Sequence, residues 1–186
     1  MRPIFKDPAI QAEFEDKGYV VVDFLTADEV SALSAAYKNL NGQPVQMGFS
    51  TSNMSANADY RRKVSDGITD NFNRGMMQYF DRCKIFFGIF TSKQPGQERS
   101  VCSMHQDPAY VDEALYTGMT IWVPLVDTDE TNGALEVIDR SHLLNGWPRS
   151  TLPRFPYSNL APLLLKKYFN AMSGCNNLFY NKLYVV

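Results

Sequence analysis

The strongest constraint in this chain is where its hydrophobic periodicity changes. Helical spacing fills residues 7–82, and short extended runs broken by turn residues follow over 84–186. Asp7 and Pro8 suit an N-cap and first helical position, and Gly18 is placed to end that helix. Tyr19-Val20-Val21-Val22 reads as a short strand. Thr26-Ala27-Asp28-Glu29 fits a capping box, and Val30, Leu33, Tyr37 and Leu40 then form an apolar stripe that must pack on something larger. Polar residues 41–60 read as a loop, and 61–82 as a further helix. Strands are predicted at 84–91, 101–106, 119–126, 134–138 and 178–186, with one more short helix at 160–169. Turn signals separate the strands at Gln94-Pro95-Gly96, Asp127 to Gly133 and Asn145 to Pro148. Helices first and short strands after predict a mainly β fold, an antiparallel sandwich or barrel with flanking helices.

Length and charge narrow the classes further. At 186 residues with no linker-like stretch, a single domain over 1–186 is expected. Its 45% hydrophobic content excludes a wholly disordered chain. Eighteen basic against twenty acidic residues argue against a partner bound through bulk charge, so neither nucleic acid nor an anionic membrane surface is expected. No apolar run is long enough to span a bilayer, and the N-terminal MRPIFKDPAI lacks the apolar region of a secretion signal. Cys83, Cys102 and Cys175 are too scattered for a disulfide framework, which fits a reducing cytoplasmic location.

Chemistry concentrates at Met104-His105-Gln106-Asp107-Pro108. Side chains at i and i+2 of an extended segment point the same way, so His105 and Asp107 aim at one point. An imidazole and a carboxylate together are two thirds of a 2-His-1-carboxylate triad, the set that holds Fe(II) with open positions for oxygen and a co-substrate. A structural hydrogen bond between the two is the plainer alternative. Thr120 and Trp122 share a face by the same period of two.

The surroundings of this motif resemble the phytanoyl-CoA dioxygenase family of Fe(II)/2-oxoglutarate-dependent oxygenases. After His105-Gln106-Asp107 come Thr120-Ile121-Trp122-Val123-Pro124-Leu125, then Asn132-Gly133-Ala134-Leu135, then Ser141-His142, in the family's order. Gly18 to Thr26 with Glu29-Val30, and Lys93-Gln94-Pro95-Gly96, are similar to its earlier motifs. The resemblance implies a double-stranded β-helix (a cupin-like jelly-roll) and hydroxylation of a small-molecule substrate. It implies Fe(II) as cofactor and 2-oxoglutarate as co-substrate, with ascorbate as an auxiliary reductant. His105 and Asp107 would be metal ligands. Gln106, Thr120 and Trp122 would line the co-substrate pocket, and Lys93 would help organise its carboxylate. The Asp107 carboxylate favours hydroxylation over halogenation, because halogenating relatives lack that ligand.

The family's second histidine and its 2-oxoglutarate-binding arginine come late, but here no histidine follows His142 and no arginine follows Arg154. His142 corresponds to a structural turn position, with a substitute for the missing iron-binding histidine as its other reading, and Asp139-Arg140 stands where the family usually has Pro-Gly. Three explanations stay open: a shortened enzyme, a pseudoenzyme that keeps the fold, or a barrel completed by a partner chain. The expectation is a jelly-roll incomplete at its C-terminus and a chain with little or no turnover. An open sheet edge would template a homo-oligomer. The alternative functions are a catalytically silent jelly-roll that binds a small molecule or protein, and a metal-dependent isomerase or hydrolase working without oxygen.

Overall fold

The computed structural model describes residues 3–40, 48–94, 96, 100, 105, 107, 109–113 and 115–144. Three helices and a small sheet organise them: α1 (Pro8–Lys17), α2 (Ala27–Leu40), β1 (Phe49–Thr51), α3 (Ala58–Tyr79) and β2 (Thr91–Lys93).

Each helix starts where a side chain takes up a free backbone N–H. Asp7 Oδ1 accepts from the Ala9 N–H at 2.7 Å at the head of α1. Thr26 and Glu29 close the expected capping box, with the Thr26 N–H donating to Glu29 Oε2 at 2.7 Å and the Glu29 N–H donating to Thr26 Oγ1 at 3.3 Å. Asn57 Oδ1 accepts from the Tyr60 N–H at 3.1 Å and starts α3. Gly18 ends α1 at φ 82°, in the left-handed region, with its N–H donating to Phe14 O at 2.8 Å.

α3 turns Val64, Ile68, Phe72 and Gly75 inward, a repeat of four, four and three that keeps one face buried. Leu33 from α2 and Phe5, Val20, Phe24, Phe80, Phe90 and Met119 complete the core around it. Ile121, Val123 and Leu125 pack against the same core, so odd positions of this extended run face the helices. β1 and β2 pair antiparallel in the register Phe49↔Lys93 and Thr51↔Thr91. Beyond the pairing, the Ser52 N–H donates to Phe90 O and the Phe90 N–H donates to Ser52 Oγ at 3.0 Å.

The structure corrects several expectations. The polar stretch 41–60 is not one loop, because it holds β1, a 3-10 turn at Ser52–Met54 and the start of α3. α3 spans 58–79 rather than 61–82: Asn57 caps it earlier, and Phe80 leaves the helix to bridge to Phe5. Within 84–91 only Thr91 lies in a ladder, which runs on to Lys93. Segments 19–22, 119–126 and 134–138 carry no ladder assignment among the described residues. Alternation reports a half-buried face, whereas a ladder also needs a neighbouring edge, which periodicity does not encode. The described residues are therefore more helical than a mainly β reading implies. The predicted strand at 178–186 and helix at 160–169, and most of 101–106, lie outside them.

Candidate functional site

His105 and Asp107 come together. Nε2 of His105 lies 3.1 Å from Oδ1 of Asp107, and the two side chains are 29% and 27% exposed. This approach is the one the i, i+2 spacing predicts for an extended segment. Two neighbouring ligands of an octahedral ion, each bonded at about 2.1 Å, sit about 3 Å apart. The donor pair thus matches in separation and in chemistry one edge of a facial metal site. Both groups must shed their protons to ligate, and the same pair can instead make a hydrogen bond. Among the described residues no set of three His, Cys, Asp or Glu side chains gathers at one point.

Thr120 and Trp122 are half-buried and alternate with the core-facing Met119, Ile121 and Val123, so they share the face turned away from the helices. Gln106 lies outside the described residues. Lys93 ends β2 with an exposed side chain whose stem lies over Gly133: a Cβ there would sit 3.0 Å from Lys93 Cδ. Gly133, at φ 95°, closes the turn expected at Asn132-Gly133. Asp129 organises this turn, its Oδ1 accepting from the Thr131 hydroxyl at 2.6 Å and the Thr131 N–H at 2.8 Å. Those bonds hold its carboxyl below the usual range, the Thr131 hydroxyl contributing most.

His142 has a structural assignment. Its Nε2 lies 2.9 Å from Glu15 O, near the end of α1, and its ring packs on Gly18. The adjacent Arg140 N–H donates to Lys17 O at 2.9 Å, and the Arg140 guanidinium pairs with Asp16 at 2.6 Å. The turn that resembles the family's Gly-Ser-His motif is thus a clasp on α1.

Sequence reasoning missed a concavity of about 330 Å³ between α3 and residues 87–89, with Arg61, Ser52 and Ser65 on its wall. The one signal was the i, i+4 spacing of Arg61 and Ser65 in the predicted helix, which puts them on one face.

A converging imidazole and carboxylate supply two of the three ligands of a 2-His-1-carboxylate site, the type used by non-haem Fe(II) oxygenases. Residues 14–167 match the family model described as Phytanoyl-CoA dioxygenase (PhyH), and the chain belongs to that family. The family has a cupin-like jelly-roll fold and is generally Fe(II)- and 2-oxoglutarate-dependent. No curated protein and no solved structure gave a match.

Proposed function

We propose that the chain is a single oxygenase-like jelly-roll domain that binds Fe(II) through His105 and Asp107, with 2-oxoglutarate as co-substrate and a small organic molecule as substrate. The 3.1 Å approach of imidazole nitrogen to carboxylate oxygen carries this reading. When bound, the metal and co-substrate supply the oxidising power for C–H hydroxylation. The protein's part is to hold a neutral imidazole and an ionised carboxylate at one point, and to present the Thr120–Trp122 face as a pocket wall. Gln106 and Lys93 are proposed contacts to the co-substrate.

A second reading, a small-molecule-binding module without turnover, is favoured by one observation. Besides His105 the chain has only His142, and that ring is engaged with Glu15 O. Two protein ligands fix an ion less well than three, so with these two alone metal affinity would be weak.

Anaerobic calorimetry with Fe(II) tests the assignment. Asp107→Ala should abolish metal binding while leaving the thermal transition in place. Unchanged metal affinity in that variant would remove Asp107 from the site.

A further inference from the structure

Part of the lining of the concavity between α3 and residues 87–89 consists of hydrogen-bond donors. Arg61 is on its wall, with one guanidinium hydrogen bond, from Nη1 to Ser55 O. Among the described residues no carboxylate pairs with Arg61. Ser52 and Ser65 flank it, and each hydroxyl oxygen already accepts a backbone N–H: Phe90 to Ser52 Oγ and Gly88 to Ser65 Oγ, both at 3.0 Å. Each hydroxyl therefore keeps its own proton to donate. Ser52 is only 8% exposed, so its O–H has little access to bulk water. Asn53 adds an amide whose oxygen is taken by the Thr51 hydroxyl, which leaves its NH₂ protons.

The rest of the lining is apolar. Phe87 and Tyr110 meet edge to face, centroids 5.1 Å apart at 88°, and both rings stay substantially exposed, at 40% and 46%. Ile89 continues this surface. Gly88 lets the wall approach α3, since a Cβ there would lie 2.6 Å from Ile68 Cβ. The volume is at the small end of ligand pockets, which run from about 300 to 1,000 Å³.

From this mixed lining we infer that the groove binds a small organic acid, its carboxylate held by Arg61 and the Ser52 and Ser65 hydroxyls and its apolar body against Phe87 and Tyr110. Guanidinium and hydroxyl donors lining one cavity complement a carboxylate, and a guanidinium suits its planar shape. Tyr110 follows Asp107 by three residues, so their Cα atoms are within about 11 Å of each other. A ligand lying on Tyr110 is therefore near the proposed metal pair. Naming this acid as the substrate rests on the oxygenase reading, but its binding does not.

The test uses 3-phenylpropionate, with 3-phenylpropanol as the uncharged counterpart, titrated by calorimetry into the full chain with excess EDTA. Saturable acid binding at least tenfold tighter than the alcohol is expected, because a hydrogen bond to a charged carboxylate is stronger than one to a neutral hydroxyl. Arg61→Met should erase that preference. Tyr110→Ala should weaken acid and alcohol alike, and it keeps the test decisive if the arginine variant does not fold. Equal affinity for acid and alcohol, no binding at millimolar acid, or an acid preference surviving in folded Arg61→Met would each overturn the inference. Acid binding without Fe(II) binding would keep the groove and sink the oxygenase reading, and the reverse result would do the opposite.

Discussion

The same substitution at two glycines of α3 should move stability in opposite directions. A Cβ at Gly75 would sit 2.4 Å from Phe24 Cε2 and 2.6 Å from Cδ2, far inside contact distance. The ring has nowhere to go: Phe72 stands edge-on with centroids 5.0 Å apart, and Tyr79 and Phe80 close in at 6.3 and 6.4 Å. Overpacking of this kind costs about 1–3 kcal/mol, a close backbone-to-ring clash belongs at the upper end, and the helix preference for alanine returns about 1 kcal/mol. Gly75→Ala should therefore lose about 1–2 kcal/mol. At Gly67 a Cβ would meet nothing within 4 Å, so Gly67→Ala keeps only the helical gain of about 0.5–1 kcal/mol. For a chain of this size each kcal/mol shifts Tm by about 2–4 °C. Thermal melts followed by circular dichroism should show Gly75→Ala down by about 2–8 °C and Gly67→Ala up by about 1–4 °C. Shifts of the same sign in both variants would refute the placement of Phe24 against α3.

Gly18→Ala should destabilise by about 1–3 kcal/mol in urea unfolding, since the added methyl needs a left-handed backbone and would lie 2.3 Å from His142 Nδ1. Glu29 makes a pH-dependent contribution. Its two oxygens bind the Arg74 guanidinium at 2.8 and 2.7 Å, and that contact, followed by the Thr26 N–H, holds its carboxyl down to about 2 from an ordinary 4.5. A depressed carboxyl stabilises fully above its unfolded value, so the contribution is lost as pH falls from about 4.5 to about 2. Solvent screening at the 40% exposed Arg74 reduces it, so wild type should be more stable than Glu29→Gln above about pH 4.5 and the two should converge toward about pH 2.

Local rules carried well from sequence to structure. The Asp7 cap, the Thr26–Glu29 box, the Gly18 stop and the His105–Asp107 convergence each depend on residues within four positions, where spacing decides geometry. The non-local features did not carry. Asn57 starts a helix inside a stretch whose Asn, Ser and Gly content reads as loop, because those residues favour caps and turns alike. Ladder partners, the Gly75–Phe24 and Gly88–Ile68 contacts and the Arg61 groove arise from segments tens of residues apart. His142 was legible as a turn residue, but its partner Glu15 O, 127 positions away, was not.

The most direct measurement of the central claim is an anaerobic titration of the full chain with Fe(II) and 2-oxoglutarate, followed in the visible spectrum. If His105 and Asp107 hold the metal, a metal-to-2-oxoglutarate charge-transfer band grows with Fe(II) and disappears in Asp107→Ala. No band at millimolar metal, or a band that persists unchanged in that variant, would contradict it.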